Sequence, residues 1–492
     1  MSRGLRSGKE FRAYALSPGQ PIVASQFDLR DALEAYEDPE TPTSRDYEVD
    51  LEGELSELSD LESEDSCESF DDSIEVELAL PSTFQPLVSG EESSPSETED
   101  DPSNDPGQGQ GKRARRRRKT LRNRKKRRLA REDAQAQFQT GLKEIARRRV
   151  AESQTLSSVD DFHTEDLPVN SGGWSGIRQE FERIHPSFQE LLGEGFELRL
   201  VEWQGQESCA VLDKSGRIIS LLAGKPRDPK WDSVINELEE QVRSARKKMT
   251  FSQKQRSNKR VSGPSVSMGT SFGGGSQAPG TMAFYGVENR RILMNIAAST
   301  SFQRLIGFTN CLFQSFAEKI FTLYQETLES LFTSDPKLKR WFKNSAFSSV
   351  SFNLGPAVVS WPHTDNYNLA FGWCAITALG NFDPDRGGHL ILWDLGLIIR
   401  FPPGSTILIP SALLTHSNLP IQKGEERYSI VQYSSSGLFR WVYNGFMSDK
   451  DFLATRKRED VEKREKDRKA RWGNGLKMFS VWNDLRSKYS TK

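Results

Sequence analysis

The chain has 492 residues, of which 35% are hydrophobic and 28% are charged, so a good part of it cannot form a packed core. Its formal net charge of −2 conceals a strong segregation of acidic and basic residues. The four cysteines lack CxxC spacing, which argues against a zinc site or a disulfide framework and is typical of a reducing compartment. No apolar run approaches a membrane span, and the first residues lack the apolar core of a signal peptide, so we expect no membrane association.

Residues 1–111 are predicted to be a long disordered acidic region. From Asp46 to Asp105 the sequence has many Asp and Glu and no Lys or Arg, and Ser and Pro fill much of the rest. Such a segment cannot bury enough apolar surface to offset the conformational entropy that ordering would cost. Its simplest interpretation is a solvated acidic tail, and the alternative is a segment that binds a partner or masks the basic residues that follow.

A basic segment occupies residues 112–133 and contains two dense Lys/Arg clusters, at 112–119 and 122–128. Blocks of this kind are typical of nuclear-localisation signals and of nucleic-acid contacts. We therefore expect a nuclear import receptor as a partner and the nucleus as the location. Any nucleic-acid contact made by this segment would be phosphate-driven, nonspecific and sensitive to salt.

A helical linker is predicted at 134–160, and a small α+β accessory unit is predicted at 161–249. In that unit, alternating residues at 196–203 indicate a strand, and two apolar runs flank a turn at Gly216 as in a hairpin. Apolar residues at helical spacing predict a helix from Trp231 to Met249. The unit carries no recognisable chemistry, so we expect it to support the catalytic fold; a separate recognition module is the alternative.

The stretch from Gly263 to Met282 is rich in Gly, Ser and Pro, which by composition alone predicts a flexible linker. Further on, a helix is predicted over about Asn310–Phe332, because aromatic and apolar side chains recur there at intervals of three and four residues. The sequence Ser334-Asp335-Pro336 is a stop signal for that helix. We expect the aromatic stripe to be a core face.

Short β-rich runs separated by Gly and Pro breaks follow, and this pattern indicates a sandwich or a barrel. A double-stranded β-helix, or jelly roll, would bring distant residues together at its open mouth. The predicted fold class is therefore α+β, with a jelly-roll catalytic domain at 250–447, flanking helices and the disordered region before them. The predicted strands are Ala357–Ser360, Cys374–Leu379, Leu390–Trp393, Thr406–Ile409 and Tyr428–Tyr433.

Four residues on or near these strands form the strongest chemical pattern in the chain: a His363-x-Asp365 pair, then His416, then Arg427. One residue separates His363 from Asp365, so on a strand both side chains point to the same face. Two imidazoles and one carboxylate on one face of Fe(II) leave three positions open for a co-substrate and O2. An arginine can hold the distal carboxylate of 2-oxoglutarate with both arms of its planar guanidinium. His389, by contrast, begins an apolar strand and is interpreted as structural.

Several segments around this pattern also resemble a known family. Phe371–Gly380, Gly387–Leu395 and Phe401–Ser411 are similar to the fungal branch of the TET/JBP-type 2-oxoglutarate and Fe(II)-dependent dioxygenases. The similarity extends through Gly437–Val442, and the Gly-rich residues Ser271–Gly275 resemble a segment of the same branch. This last match suggests that the Gly-rich stretch belongs to the catalytic domain, as a loop near the substrate.

The resemblance implies an oxidoreductase whose catalytic iron is held by His363, Asp365 and His416. It also implies that Arg427 binds 2-oxoglutarate with help from Ser429. Characterised relatives oxidise the methyl group of a pyrimidine base in nucleic acid, so the expected partner is methylated DNA and the expected substrate is 5-methylcytosine or a related base. Substrate does not follow from fold alone, because one jelly roll supports many oxidations.

A base in duplex DNA must leave the stack to reach the iron, and Trp361, Asn366 and Tyr367 are candidates to contact it. A prolyl- or lysyl-type protein hydroxylase would use the same metal and co-substrate residues, so the sequence barely separates the two activities. A noncatalytic chromatin-interaction protein with a decayed jelly roll is a third interpretation, and the intact set of four residues argues against it.

Beyond Val442 the chain becomes polar and basic, and residues 448–492 are predicted to form a basic helical tail. Residues from Arg456 to Arg471 mix Lys and Arg with Glu and Asp, as in an exposed helix with ion pairs along its surface. A solvated helix is the simpler interpretation, and a role in gripping DNA is the alternative.

Overall fold

The computed structural model describes residues 2–4, 10–12, 144–157, 162–184, 186–193, 196, 198–256, 260–342 and 344–490. The rest of the predicted acidic region, the whole basic segment and the first part of the predicted linker lie outside the described residues. Described residues from Arg147 onward belong to one compact unit. No helix of the described residues is both long enough and apolar enough to cross a membrane.

Residues 144–152 are helical, and the other helices are named α1 to α10 in chain order. They are α1 (Phe188–Leu192), α2 (Trp231–Lys248), α3 (Gln253–Arg256), α4 (Val287–Ala298), α5 (Thr300–Phe316), α6 (Glu318–Ser334), α7 (Ser436–Tyr443), α8 (Asp449–Thr455), α9 (Arg458–Leu476) and α10 (Trp482–Ser490). Short 3-10 helices occupy Thr164–Asp166 and Trp393–Leu395.

The strands are named β1 to β15. They are β1 (Ser2–Gly4), β2 (Glu10–Arg12), β3 (Gln154–Ser157), β4 (Arg199–Val201), β5 (Cys209–Leu212), β6 (Ile218–Gly224), β7 (Ser265–Ser271), β8 (Gly280–Thr281), β9 (Ser349–Asn353), β10 (Cys374–Leu379), β11 (Leu390–Leu392), β12 (Leu397–Ile399), β13 (Thr406–Ile409), β14 (His416–Asn418) and β15 (Tyr428–Tyr433).

These elements form a mixed α/β architecture with a large sheet and a small sheet. The large sheet has the order β3-β5-β6-β13-β10-β15-β9-β7-β8, and the small sheet has the order β14-β11-β12-β4. Most neighbouring strands are antiparallel, but β3 runs parallel to β5 and β4 runs parallel to β12. A separate two-stranded hairpin joins β1 to β2.

The small sheet is buried on both faces, because its residues alternate between two apolar clusters. Leu390 and Leu392 of β11 belong to the main core, which also contains the apolar residues of the large sheet. Ile391, between them, belongs to a second cluster with Leu191 of α1 and Ile398 of β12. The side chains therefore alternate as a pleated strand requires, and one face of the small sheet packs towards the large sheet.

The predicted helix at Asn310–Phe332 is wrong as a single element. Ala317 adopts φ −139° and ψ 52°, which lies outside the helical region and separates α5 from α6. Phe313 and Phe321 meet edge to face across this corner, with ring centroids 5.7 Å apart. Both helices bury their apolar stripe in the same core, so the periodicity continues through the break. The predicted helix from Trp231 is confirmed as α2.

Three of the predicted strands, β10, β13 and β15, are confirmed, and the predicted strand at Leu390–Trp393 ends one residue early. The predicted strand at Ala357–Ser360 is wrong, because only isolated bridges occur there. Pro356 and Pro362 flank that run and lack the amide hydrogen that a ladder needs. The hairpin of β5 and β6 is confirmed, with Gly216 at φ +75° in its turn.

Two stretches pair with strands of the predicted catalytic domain, which their composition does not indicate. Within residues 161–249, β6 pairs with β13 of the large sheet and β4 pairs with β12 of the small sheet. The Gly-rich stretch contains β7, which pairs with β9 across five residues. For Ser265–Ser271 the prediction of a flexible linker is therefore wrong, because the backbone hydrogen bonds of an ordered strand fix these residues in the sheet.

His389 is buried against α1, and its protonation provides a test of that burial. The imidazole is 1% exposed and stacks on Phe188, with ring centroids 4.5 Å apart. Burial lowers the pKa of His389 to about 4, and the guanidinium of Arg400 acts in the same direction. Between about pH 6.5 and about pH 4, His389 binds a proton in the unfolded chain but not in the folded chain. The stability contributed by neutral His389 is therefore present above pH 6.5 and is lost as the pH falls.

We expect His389→Leu to lose less free energy of unfolding than the wild type when the pH falls from about 7 to about 4.5, by about 2 kcal/mol. Leucine fills the buried space and has no titrating group. Urea unfolding at each pH measures the difference. Parallel pH profiles for the two proteins would show that His389 is not held neutral by burial.

Candidate metal centre

Two histidines from distant parts of the chain lie side by side because their backbones pair. The His363 amide donates to the His416 carbonyl over 3.1 Å, and the His416 amide donates to the His363 carbonyl over 2.9 Å. The centroids of the two imidazole rings are 4.3 Å apart. His416 begins β14, so this pair of hydrogen bonds attaches the His363 segment to the small sheet.

Each imidazole is held through its Nδ1 atom. His363 Nδ1 lies 2.7 Å from the Trp361 carbonyl oxygen, and His416 Nδ1 lies 2.9 Å from the Leu414 carbonyl oxygen. A carbonyl can only accept a hydrogen bond, so both Nδ1 atoms carry the proton and both Nε2 atoms keep a free lone pair. Metal-binding histidines have this tautomer, in which a backbone acceptor orients the ring.

Asp365 supplies a carboxylate to the same place. Its Oδ1 lies 3.9 Å from His363 Nε2, and its amide donates to the Ser411 carbonyl over 2.8 Å. Arg260 Nη1 donates to Oδ1 over 3.0 Å. One possible ligand atom from each of His363, Asp365 and His416 lies within 4.8 Å of the other two. The structure therefore brings the three predicted ligands together.

The pKa shifts favour the protonation states that a cation requires. Burial, together with the nearby His416, lowers the pKa of His363 to about 3. Burial also lowers the pKa of His416. For Asp365, burial raises the pKa, but Arg260 and the two imidazoles outweigh burial and leave it below its usual value. At neutral pH the cluster thus offers two neutral imidazoles and one carboxylate.

This donor set fits Fe(II). Two imidazole nitrogens and one carboxylate oxygen on one side of the ion are the ligands of mononuclear non-haem iron sites that activate O2. The two free Nε2 lone pairs and the ionised Asp365 are ready to bind without loss of a proton. His363, Asp365 and His416 would hold the metal, and the remaining coordination positions would stay open.

Arg427 directly precedes β15 and is a buried cation that no carboxylate of the described residues pairs with. Its side chain is 2% exposed, Nη1 donates to the Val358 carbonyl over 3.3 Å, and buried Nε has no hydrogen-bond partner among the described residues. Burial lowers the pKa of Arg427 to about 10, so the group stays charged at neutral pH. A buried charge of this kind is costly unless an anion is bound to it.

The Val358 carbonyl connects Arg427 to the small sheet. The same oxygen accepts a hydrogen bond from Asn418 Nδ2 over 3.2 Å. Asn418 is two residues from His416 on β14, so both side chains lie on one face of that strand. His416 and Asn418 therefore face the side of the small sheet on which the Arg427 guanidinium lies.

The other predicted residues have defined positions. Ser429 is buried on the same face of β15 as Arg427, and its Oγ accepts from Asn353 Nδ2 over 2.9 Å. Trp361 holds His363 through its carbonyl, and the guanidinium of Arg183 lies 4.9 Å above its ring.

Asn366 and Tyr367 anchor the loop after the ligand pair through their carbonyls, which accept from the amides of Gly176 and Ser436 over 2.9 and 2.8 Å.

Sequence reasoning missed Arg260 and Asn353. Arg260 is 105 residues from Asp365 along the chain, and it follows a polar stretch with no periodicity. Asn353 ends a short strand whose pairing with β15 depends on contacts between distant segments. No local pattern identifies either residue.

No protein-family model matches the sequence, and no curated protein matches it. Among solved structures, NgTET1 in complex with 5mC DNA is similar with a TM-score of 0.35 and 15% identity, over 49% of this chain and 82% of that chain. OsALKBH1 is similar with a TM-score of 0.23 and 10% identity, over 40% of this chain and 92% of that chain. Likenesses this low carry no argument about activity or substrate.

We expect His363→Ala and His416→Ala each to lower the affinity for Fe(II) by more than about 100-fold, since loss of an outer partner alone costs a metal site 10- to 100-fold. Anaerobic titration calorimetry measures the affinity, and Co(II) absorption provides a second readout. His389→Leu is the matched control, because it removes a buried histidine outside the cluster. Equal affinity in His363→Ala and the control would rule out this metal site.

Proposed function

We propose that this protein is a 2-oxoglutarate- and Fe(II)-dependent dioxygenase that oxidises a methylated pyrimidine in DNA, in first place 5-methylcytosine. The observation that carries the dioxygenase class is the buried guanidinium of Arg427, which no carboxylate of the described residues pairs with. It lies on the side of the small sheet that His416 and its cluster with His363 and Asp365 face. The cluster alone would equally suit a hydrolytic metal enzyme, which needs only the ion and its bound water. A co-substrate with a distal carboxylate accounts for Arg427 as well.

Each residue has a defined task in the proposed reaction. His363, Asp365 and His416 hold the metal, and Trp361 and Leu414 keep the two rings oriented through the Nδ1 hydrogen bonds. Because those orienting contacts are backbone carbonyls, they do not depend on the protonation of another side chain.

Arg427 receives the distal carboxylate of 2-oxoglutarate, with Ser429 beside it on the same face of β15. A two-armed, charge-assisted contact of this kind fixes the orientation of the diacid as well as its position. The buried site excludes water from the ion pair, which strengthens it.

Bound Fe(II) would supply activation of O2, coupling conversion of 2-oxoglutarate and O2 to succinate and CO2 with transfer of one oxygen atom into a substrate C–H bond. One atom of O2 ends in succinate and the other in the hydroxylated product, so no further reductant is required. The protein supplies geometry and a shielded space for this chemistry.

We also propose that the two sheets are the halves of a double-stranded β-helix. The antiparallel series β13-β10-β15-β9 on one side and β14-β11-β12 on the other supports this arrangement, with the His363 bridge extending the small sheet. In such a fold the inner faces of both halves line the catalytic space, as Arg427 and His416 do.

The proposal that the substrate is a nucleic acid is based on two sequence features. One is the resemblance of the catalytic segment to TET/JBP-type enzymes, including its fungal branch. The other is the basic segment at 112–133, which would add nonspecific attraction to phosphates and would bind an import receptor that carries the protein into the nucleus. Protein hydroxylation uses the same metal and co-substrate residues, so peptide substrates belong in the same experiment.

We expect Arg427→Gln to raise the KM for 2-oxoglutarate by about 30-fold or more, because loss of a buried charge partner costs about 2 kcal/mol or more. Succinate release at varied 2-oxoglutarate measures it. Arg291→Gln is the control, because Arg291 is exposed and paired with Glu288. Arg427→Lys keeps the charge but lacks the planar, two-armed guanidinium, so its KM for 2-oxoglutarate should lie between those of the wild type and Arg427→Gln. An unchanged KM in Arg427→Gln would exclude this binding mode.

We expect the protein with Fe(II), 2-oxoglutarate and O2 to oxidise the methyl group of 5-methylcytosine in duplex DNA. Mass spectrometry of the digested DNA detects the product, and succinate is measured in parallel. Asp365→Ala should release no succinate, because it lacks a metal ligand. Succinate release stimulated by proline- or lysine-containing peptides instead of DNA would replace the nucleic-acid assignment with protein hydroxylation.

A further inference from the structure

The inner face of the large sheet extends well beyond Arg427. Gln432 of β15 is fully buried, and its Nε2 donates to Thr309 Oγ1 of α5 over 3.0 Å, so this side chain faces the helices. Successive strand residues alternate between faces. Val431 and Tyr433, the neighbours of Gln432, therefore point to the opposite face, which is the face of Arg427.

Residues paired across neighbouring strands point to the same face of the sheet, so the pairing identifies which residues of β9 and β7 share the face of Arg427. Val431 lies opposite Ser351 of β9, and Ser351 lies opposite Ser267 of β7. The Oγ atoms of the two serines are 2.6 Å apart. Both serines and Tyr433 remain partly exposed although their strands are flanked on both sides, whereas Phe352 on the helix-facing side of β9 is 0% exposed. These three side chains therefore remain accessible to solvent on the face that Arg427 shares.

Tyr433 connects these serines to the candidate metal centre. Its hydroxyl lies 4.0 Å from Met282 Sδ. Burial raises the pKa of Tyr433, the hydroxyls of Ser267 and Ser351 lower it, and the Asp365 carboxylate raises it. The Asp365 carboxylate therefore lies within electrostatic reach of the phenol that the two serine hydroxyls also contact.

The serine pair is too far from Arg427 to serve the co-substrate. Val431 is four residue steps of extended chain from Arg427, a distance of roughly 13 Å. A five-carbon diacid that spans from Arg427 to the metal has no polar group left to reach Ser267 and Ser351. These hydroxyls border the part of the space that remains for the substrate.

We propose that the Ser267–Ser351 hydroxyl pair is the subsite that hydrogen-bonds the polar edge of the substrate base. When one hydroxyl donates to the other, the pair still presents one O–H donor and free acceptor lone pairs. A pyrimidine presents donors and acceptors side by side on its Watson–Crick edge, which enzymes read once the base has left the duplex. Ser267 and Ser351 thus determine specificity. This inference rests on the proposed dioxygenase function.

Ser267→Ala and Ser351→Ala test the proposal. Each is expected to lower kcat/KM for DNA containing 5-methylcytosine by about tenfold, the effect of one lost hydrogen bond at a polar edge. The KM for 2-oxoglutarate should stay at the wild-type value. The amount of succinate per oxidised base should rise above one, because a poorly held base lets co-substrate turnover proceed without base oxidation.

A binding measurement separates this inference from the proposed function. Fluorescence anisotropy with a single-stranded 5-methylcytosine oligonucleotide, Fe(II) and 2-oxoglutarate under anaerobic conditions reports affinity without turnover. Both alanine variants should bind about tenfold more weakly than the wild type. Ser351→Thr keeps a hydroxyl at this position of the strand, so its affinity should be close to that of the wild type and higher than that of Ser351→Ala. Ser220→Ala, which removes a buried hydroxyl from β6 of the same sheet, is the matched control.

Each outcome decides between the two proposals. Wild-type affinity and wild-type coupling in both folded alanine variants would overturn the subsite while leaving the dioxygenase intact. Weakened binding in the alanine variants with recovery in Ser351→Thr supports the subsite even if the product is not an oxidised pyrimidine. A wild type that neither binds the oligonucleotide nor releases succinate would remove both proposals, and thermal melting identifies any variant that fails to fold.

Discussion

The reciprocal backbone hydrogen bonds between His363 and His416 are the constraint on which the site depends. They place two imidazoles from distant segments in van der Waals reach, with both Nε2 atoms free because both Nδ1 atoms are tied to carbonyls. Asp365 then reaches the same point because its own amide is fixed to Ser411. Main-chain contacts therefore position the three candidate metal ligands, and among the described residues the side chains of Arg260 and Ser411 add contacts to Asp365.

Arg427 adds an electrostatic constraint to this geometric one. Strand β15 lies in the middle of the large sheet, between β10 and β9, and brings the guanidinium into a space from which solvent is nearly excluded. The charge faces the small sheet through the shared Val358 carbonyl, so it lies on the side of the metal cluster. Because no carboxylate of the described residues pairs with this cation, a ligand that carries an anion matches the site best.

The sequence predicted the parts that local patterns encode. Strands β10, β13 and β15 follow from β-branched runs between Gly and Pro breaks, and the four site residues follow from ligand chemistry. Local patterns did not predict the contacts between distant segments, which are Arg260 beside Asp365, β7 within the large sheet, and the pairing of β6 with β13. The break at Ala317 was also invisible, because the apolar stripe continues on both sides of it, and Pro356 limits the segment at 357–360 to isolated bridges.

A crystal structure of the protein grown anaerobically with Mn(II) in place of Fe(II) and with 2-oxoglutarate tests the central claim most directly. The account predicts one anomalous peak bound by His363 Nε2, His416 Nε2 and an Asp365 oxygen, with the distal carboxylate of 2-oxoglutarate on the Arg427 guanidinium. A metal bound elsewhere, or a 2-oxoglutarate molecule that leaves Arg427 without an anion, would contradict it.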